Sequence, residues 1–281
     1  MEVTVSVAQM PVTWDVERNL TLIDTLLADA QPGEVVVFPE AAVSGYDDHL
    51  SGLEQLDAEA VTRGIARLAE TAHRRKVHLF CGSLLPSQGA WCNAAIYLSP
   101  GGTTWTYRKV NLATHERGRL EAGAELTTLP LQLAGGPLTV GVQLCREIAF
   151  PEQWQHLAAA GAQVFVYLTY AANPDVAAGI WRSHLISHAA ANQRFVIAAN
   201  VADPRQHCPS MIISPRGEVL GELPAGQTAV LRKVIHTEEV RDWYLSQRRT
   251  DLLQVQYRAG GASAQKASVP LAPTGTLGGP E

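Results

Sequence analysis

Three side chains suited to nucleophilic catalysis stand at the ends of predicted strands. Glu40 follows the apolar run at residues 35–38, Lys109 ends a strand that follows a hairpin, and Cys145 ends the alternating run at residues 138–144. A carboxylate can take the proton of a thiol, and a nearby ammonium favours the thiolate that results. If folding brings the three together, we expect covalent catalysis through Cys145.

Cys145 occupies the predicted junction between a strand and a helix. The strand ends at the cysteine, and Pro-Glu-Gln-Trp at residues 151–154 is typical of the first turn of a helix. The positive end of a helix dipole favours a thiolate, which makes Cys145 a candidate nucleophile. The alternative is inert packing, because cysteine is among the most buried residue types.

The elements around these residues alternate between strands and helices. The predicted strands of this alternation cover residues 3–7, 35–38, 77–82, 138–145, 164–168 and 195–200. Segments with apolar residues at three- and four-residue spacing lie between many of them and predict helices, and antiparallel hairpins complete the pattern. The order indicates an α/β fold with mixed sheets and helices packed outside.

The composition predicts a globular protein without a nucleic-acid or membrane partner. The 281 residues are 46% hydrophobic and 17% charged, which is enough for a sizeable core. The net charge of -5 argues against a basic surface for nucleic acid, and no apolar run approaches the ~20 residues that span a bilayer. The four cysteines show no CxxC or zinc-ligand spacing, which predicts a reducing, cytoplasmic location.

The ordered motifs resemble the nitrilase superfamily of carbon-nitrogen hydrolases, whose Glu, Lys and Cys triad occurs in that order. The matching segments are residues 37–40 with Gly45-Tyr46, residues 107–109 with Leu112, residues 141–145 with 150–152, Asn93-Ala94-Ala95, Glu116-Arg117, residues 192–200 and residues 210–217. The resemblance covers residues 3–253.

The resemblance implies a four-layer αββα sandwich with two mixed β-sheets, no metal, no cofactor and hydrolysis through a thioester. In this interpretation Cys145 is the nucleophile, Glu40 is the general base, and Lys109 stabilises the oxyanion. Glu116 matches a second glutamate that positions the lysine or the substrate. The alternative for Glu116 is a surface carboxylate paired with a neighbouring arginine.

Four residues are predicted to contact the substrate: Tyr46, Arg146, Tyr170 and Ala171. Tyr46 belongs to the first matching motif, and Tyr170 and Ala171 follow a buried strand where the family lines its pocket. Arg146-Glu147 departs from the Trp-Glu-His and Tyr-Asp sequences found in nitrilases and many amidases. Arg146 could bind a substrate carboxylate, and the alternative is an ion pair with Glu147 or a helix-end acid.

We predict a cytoplasmic hydrolase of carbon-nitrogen bonds other than peptide bonds, which cleaves a small linear amide or N-carbamoyl compound. Nitrile hydrolysis is the alternative within the same class. A binding protein that keeps the fold without turnover and a thiol redox protein are alternatives from other classes. His184 and His188 have helical metal-ligand spacing, but the glutamate of HExxH is missing, so we expect no metal site.

The domain organisation is predicted to be one hydrolase domain at residues 1–258 and a tail at residues 259–281. The tail is rich in Gly, Ala and Pro, and we expect it to be mobile or to reach a partner subunit. A homodimer or higher homo-oligomer is expected from the family and from the apolar helix around Trp154 to Ala160.

Overall fold

The computed structural model describes residues 1–87 and 89–253. The predicted tail and the end of the predicted hydrolase domain lie outside the described residues. The strands are β1 (Glu2–Gln9), β2 (Val35–Val37), β3 (His78–Ser87), β4 (Ala90–Leu98), β5 (Thr104–Arg108), β6 (Leu120–Glu121), β7 (Thr128–Leu133), β8 (Gly136–Leu144), β9 (Val164–Leu168), β10 (Phe195–Ala199), β11 (Met211–Ile213), β12 (Val219–Glu222) and β13 (Ala229–His236). The α-helices are α1 (Val16–Leu26), α2 (Ala58–Arg75), α3 (Pro151–Ala159), α4 (Ile180–Asn192) and α5 (Trp243–Ser246).

The strands form two mixed sheets. The first sheet has the order β13-β1-β2-β3-β4-β5, and β6 pairs with β4. The second sheet has the order β12-β11-β10-β9-β8-β7. In each sheet a parallel centre, β1-β2-β3 or β8-β9-β10, is flanked by antiparallel strands.

The two sheets pack face to face, and helices cover their outer faces. Val37 of the first sheet and Val142 of the second belong to one buried apolar cluster between the sheets. Val36 belongs instead to a cluster with Leu20 of α1 and Leu68 of α2, because successive side chains of a strand point to opposite faces. Helices α3 and α4 lie on the other side, against the second sheet. The predicted αββα sandwich is therefore confirmed.

The hairpin between β3 and β4 is longer than the sequence pattern predicts. Strand β3 continues beyond residue 82 to Ser87, which pairs with Ala90 of β4. Gly82 and Pro86 interrupt the apolar pattern and conceal this continuation, because both residue types are uncommon inside strands. The long hairpin carries Asn93, a residue of the candidate site.

Helix α3 begins where residues 151–154 predict it, but it does not follow Cys145 directly. A 3-10 turn at Cys145–Ala149 follows β8, and α3 starts at Pro151. Proline is favoured at the first helical position, so the α-helix begins there rather than at the cysteine. Cys145 is therefore not positioned at the start of α3.

The apolar residues of α3 face the core of their own chain. Trp154 and Leu157 are fully buried. The Trp154 ring packs 5.1 Å from that of Phe165 and 4.3 Å from that of His188, measured between ring centroids. Trp154 and Leu157 are therefore used inside the chain, and a homo-oligomer that contacts this helix stays a prediction for its exposed face, which includes Glu152 and Ala159.

Candidate active site

Two of the predicted catalytic carboxylates meet the predicted ammonium in the interior of the sandwich. Lys109 Nζ lies 3.0 Å from Glu40 Oε1 and 2.9 Å from Glu116 Oε2, and all three side chains are fully buried. Glu40 follows β2, Lys109 follows β5, and the loop after Lys109 folds back to bring in Glu116. The alternative of a surface position for Glu116 is thereby excluded.

Two glycines allow the backbone segments behind this cluster to approach closely. A Cβ atom at Gly82 of β3 would lie 2.5 Å from the Cα of Glu40, and one at Gly123 would overlap the carbonyl of Arg108. The same segments are joined by hydrogen bonds, since Gly123 N donates to Lys109 O at 2.8 Å. A larger residue at either position would displace the backbone that carries Glu40 or Lys109.

Asn93 links the two carboxylates. Its side-chain Nδ2 donates to Glu40 Oε1 at 2.8 Å and to Glu116 Oε1 at 2.7 Å. Backbone N–H groups donate to the other oxygen of each carboxyl group, with Tyr170 N 2.8 Å from Glu40 Oε2 and Ala113 N 2.6 Å from Glu116 Oε2. These bonds fix both carboxylates while they are charged, because a carboxylate accepts hydrogen bonds most strongly when ionised.

The electrostatics of the cluster favour the charged forms of Lys109 and Glu116. Burial alone would lower the pKa of Lys109, but the negative charges led by Glu40 raise that pKa above its ordinary range. Burial opposes ionisation of Glu116 as well, yet Lys109 and the hydrogen bond from Asn93 lower the pKa of this carboxyl below its ordinary value of 4.5. Lys109 and Glu116 therefore stabilise each other's charged form.

Cys145 lies beside this cluster in a strained backbone conformation. Its φ of +44° is in the left-handed region that side chains rarely occupy, and its carbonyl accepts a hydrogen bond from Tyr167 OH at 2.8 Å. Such strain is found at functional sites, where the surrounding structure maintains it. The residue is buried, and Glu40, Lys109 and Glu116 all act electrostatically on its thiol.

The resting thiol is protonated, which corrects the expectation of a helix-stabilised thiolate. Burial and the charge of Glu40 raise the pKa of Cys145 to about 12, although Lys109 acts in the opposite direction. A protonated thiol is a weak nucleophile, so attack requires a base. Glu40 is the carboxylate that contributes most to this shift.

Glu147 is a site residue whose role the sequence did not reveal. Its Oε1 accepts hydrogen bonds from Tyr107 OH at 2.7 Å, Val110 N at 2.8 Å and Asn111 N at 3.1 Å. Its Oε2 accepts one from Leu144 N at 2.8 Å. The side chain thus joins the turn that carries Cys145 to the segment that follows Lys109. Burial raises its pKa to about 7.

Tyr46 and Tyr170, two of the residues predicted to contact substrate, border the cluster. The hydroxyl of Tyr46 donates to Glu116 Oε1 at 2.9 Å and lies 2.7 Å from His115 Nε2. The ring centroid of Tyr170 lies 5.4 Å from that of Tyr46. His115 was missed because its only sequence signal was its place next to Glu116.

Ala171 and Arg146 occupy contrasting surroundings. Ala171 is buried, and both its backbone N–H and its carbonyl bond to the side chain of Asn200. Arg146 is exposed, with its guanidinium carbon 5.7 Å from the ring centroid of Trp181. No carboxylate of the described chain forms an ion pair with Arg146, and that of Glu147 is directed to other donors.

Of the two histidines with metal-ligand spacing, His188 is buried and packed, whereas His184 is exposed. His188 Nε2 lies 2.8 Å from the carbonyl of Ile148, and burial lowers its pKa to about 4. Across residues 1–87 and 89–253, no three His, Cys, Asp or Glu side chains are grouped so that they could hold a metal ion. Over the same residues, no helix combines the length and apolar character needed to cross a membrane.

The sandwich and its buried site define a hydrolase class that acts through cysteine. The sequence model of the carbon-nitrogen hydrolase family matches residues 4–245, and the chain belongs to this family. The predicted family is confirmed.

Individual relatives agree with this membership. An (R)-stereoselective amidase from Pseudomonas sp. is 28% identical over 216 residues, which are 74% of each protein. A 2-oxoglutaramate amidase from Bacillus subtilis (strain 168) is 30% identical over 202 residues, or 69% of this chain and 75% of that protein. The solved structure of an amidase from Nesterenkonia sp. matches with a TM-score of 0.73 at 25% identity, covering 89% of this chain and 94% of that one.

Proposed function

We propose that the protein is a cysteine amidase that hydrolyses a small linear amide or N-carbamoyl compound through a thioester on Cys145. The observation that carries the proposal is the fully buried Lys109 ammonium between Glu40 and Glu116, beside a protonated thiol. Burying three charged groups opposes folding, so such a cluster is expected where chemistry requires it.

Acylation begins when Glu40 takes the proton of the Cys145 thiol. The thiolate sulfur attacks the carbonyl carbon, and the carbonyl oxygen becomes a negatively charged oxyanion. Lys109 and the backbone N–H of Arg146 stabilise this oxyanion. Glu40 then returns its proton to the leaving nitrogen, the carbon-nitrogen bond breaks, and ammonia or an amine departs from the thioester.

Deacylation uses the same carboxylate in the same order of events. Glu40 takes a proton from water, the hydroxide attacks the thioester carbon, and Lys109 again stabilises the oxyanion. The carbon-sulfur bond breaks, Glu40 returns the proton to sulfur, and the carboxylic acid leaves. Glu116 and Asn93 hold Lys109 and Glu40 in place throughout.

The amidase relatives support an amide as substrate, and a relative from Pyrococcus abyssi (strain GE5 / Orsay) that is named a nitrilase, 28% identical over 172 residues, makes nitrile hydrolysis the alternative. The Pseudomonas sp. and Bacillus subtilis proteins are both named amidases. Their names concern different amides. The comparison therefore supports the type of bond that is cleaved, and the rest of the substrate has to be inferred from the residues around the site.

Ammonia release tests the proposal directly. The purified protein is incubated with acetamide, butyramide, an N-carbamoyl amino acid and butyronitrile, and Cys145→Ala serves as the control. We expect ammonia from an amide or the carbamoyl compound and none from the control. Release from the nitrile alone would favour nitrile hydrolysis, and no release by the folded protein from any compound would favour a non-catalytic binding protein.

We also propose that the protein acts as a homodimer or higher homo-oligomer in the cytoplasm. Trp243 and Tyr244 of α5 expose 61% and 51% of their surface, which favours a further contact. All four cysteines are free, which is typical of a reducing compartment. Analytical ultracentrifugation is expected to give at least a dimer mass, and a monomer across micromolar concentrations would contradict it.

A further inference from the structure

Arg146 is a cation without an anionic partner, next to the nucleophile. It follows Cys145 directly in the chain, is exposed, and packs over the ring of Trp181 at the start of α4. Within the described chain it forms no ion pair, and its neighbour Glu147 is occupied by Tyr107 and three backbone donors. The guanidinium therefore retains its donors for a ligand.

His207 adds an unused donor to the same cluster. Its side chain is buried, and its ring lies edge-on to Trp181 at 4.9 Å between centroids. Asn173 N donates to its Nδ1 at 3.3 Å, so the proton of the neutral ring is on Nε2. Nε2 is buried and has no hydrogen-bond partner among the described residues. A buried donor left without a partner costs stability, and His207 Nε2 is therefore available to a ligand.

This cluster adjoins the catalytic groups through the backbone. His207 N donates to Ala171 O at 3.0 Å, and Ala171 follows Tyr170, whose own N–H holds Glu40. Arg146 and His207 both contact the Trp181 ring, with the guanidinium carbon 5.7 Å and the His207 ring centroid 4.9 Å from the centroid of that ring, so the two donors are near each other. A substrate bonded to Cys145 would have Arg146 as its immediate neighbour.

The charges decide which end of the substrate this cluster receives. The leaving nitrogen must face Glu40, which protonates it, and Glu40 and Glu116 would repel a negative charge on that side. Lys109 is already paired with both carboxylates, whereas Arg146 is paired with none. An anionic group is therefore favoured on the acyl side of the scissile bond.

We propose that Arg146 and His207 form a binding site for a carboxylate on the acyl part of the substrate. The preferred substrates are then monoamides of dicarboxylic acids, which the enzyme converts to ammonia and the dicarboxylate. The planar guanidinium matches a carboxylate with two parallel hydrogen bonds, and His207 Nε2 supplies a third. This inference rests on the amidase function proposed above.

The test compares glutaramate with glutaramide, which differ only in a terminal carboxylate or carboxamide. The measured quantity is the ratio of kcat/KM for glutaramate to kcat/KM for glutaramide. We expect a ratio of at least about ten, and a fall of about 10- to 100-fold in Arg146→Gln, as for a lost hydrogen-bonded charge. His207→Leu is expected to lower the ratio less, and His207→Gln, which keeps a donor, to restore part of it.

Arg182→Gln is the matched control because Arg182 lies on α4 next to Trp181 but is paired with Glu222. Its ratio is expected to equal that of the wild type. A wild-type ratio near one, or a ratio unchanged in Arg146→Gln, would overturn the carboxylate site. Ammonia release from glutaramide would in that case leave the amidase function standing.

Binding measured without turnover separates the two proposals further. Calorimetry on Cys145→Ala should show glutaramate binding that is lost in Cys145→Ala/Arg146→Gln. If no amide is hydrolysed but this binding is found, the amidase proposal fails and the carboxylate site remains. If glutaramate binds equally with and without Arg146, or does not bind, the carboxylate site is wrong.

Discussion

The protein buries carboxyl groups in two places, and their surroundings shift the pKa in opposite directions. Glu40 and Glu116 face the Lys109 ammonium, and the pKa of Glu116 is lowered. Glu147 is equally buried but has only neutral donors around it, and its pKa is raised to about 7. Hydrogen bonds alone thus hold a buried carboxylate in place without keeping it charged at low pH. The presence of an ammonium therefore separates the two cases. Glu116 lies beside Lys109, which favours its charged form, whereas Glu147 has no ammonium and holds backbone segments in position.

The largest effect is expected from Lys109→Met, which removes the ammonium between the two carboxylates. Activity should fall by about 10³-fold or more because the oxyanion loses its charged donor. The free energy of unfolding should fall by about 3–5 kcal/mol because two buried carboxylates are left unpaired. Ammonia release and urea denaturation measure the two quantities.

Arg63→Met is the matched control for the loss of stability. Arg63 also lies between two carboxylates, Asp57 at 3.7 Å and Glu59 at 3.3 Å, but its side chain is 66% exposed. The expected change is at most about 1 kcal/mol, because exposed ion pairs contribute little. Equal losses in the two variants would show that burial does not set the energetics of the Lys109 cluster.

The pH dependence of stability should separate the two kinds of carboxylate. For Glu147 the folded state binds the proton more tightly than the unfolded state, so its contribution is present below pH 4.5 and lost as pH rises to about 7. The shift corresponds to about 3 kcal/mol. For Glu116 the folded pKa is lowered, so its contribution is present above pH 4.5 and lost as pH falls below it.

The measurement is the difference in unfolding free energy between the wild type and Glu147→Gln from pH 4.5 to 8. Taking the difference cancels the contributions of His78 and His188 to the unfolding free energy, because both proteins contain these histidines. Burial lowers the pKa of each to about 4, so their contributions increase with pH in this window, whereas that of Glu147 decreases. The difference should decline with rising pH. A flat difference would mean that Glu147 is ionised throughout and resembles Glu116.

Glu147→Gln should also disturb catalysis through the backbone. The side-chain NH2 of the introduced glutamine is a donor and would face a backbone N–H or the Tyr107 hydroxyl. The lost hydrogen bond should lower the unfolding free energy by about 1–3 kcal/mol. We expect kcat to fall by about tenfold or more with a smaller change in KM, because the turn that carries Cys145 moves away from Lys109. An unchanged kcat in a destabilised variant would limit Glu147 to a structural role.

The smallest effects are expected from a pair of tyrosine variants, one beside each kind of carboxylate. Tyr46→Phe removes the hydroxyl on Glu116, and Tyr107→Phe removes the one on Glu147. Each lost bond should lower the unfolding free energy by about 0.5–1.5 kcal/mol. Tyr107→Phe should raise the pKa of Glu147 further, and Tyr46→Phe should leave that pKa unchanged. The measurement is the pH dependence of the difference in unfolding free energy between the wild type and each variant. A shift of the Glu147 pKa in Tyr46→Phe but not in Tyr107→Phe would contradict this prediction.

Apolar periodicity predicted the central strands and helices packed outside mixed sheets, because it reports burial directly. The four-layer arrangement was implied by the family resemblance. The sequence also predicted which residues stand at strand ends, and the structure brings Glu40, Lys109 and Glu116 together around one contact. The full length of the β3-β4 hairpin escaped it, because Gly82 and Pro86 are residue types that are uncommon inside strands. The 3-10 turn at Cys145–Ala149 was not predicted either, although the start of α3 at Pro151 was.

The electrostatics of the site could not be predicted from the sequence. Cys145 at a strand end suggested a thiolate, but its burial beside Glu40 raises its pKa to about 12. Glu147 could be read as an ion-pair partner of Arg146, since adjacent opposite charges suggest pairing. The fold instead directs Glu147 inwards and leaves Arg146 over Trp181. Whether a side chain is buried, and the direction in which it points, depend on contacts between segments that are distant in the sequence.

The central claim is that Cys145 becomes acylated, with Glu40 receiving its proton. The direct measurement is mass spectrometry of the Cys145 peptide after acid quenching during turnover of a slow amide. We predict an added acyl mass on Cys145 in the wild type and none in Cys145→Ala, which should also release no ammonia. Continued ammonia release by Cys145→Ala, or turnover with the acyl mass on another residue, would contradict the account.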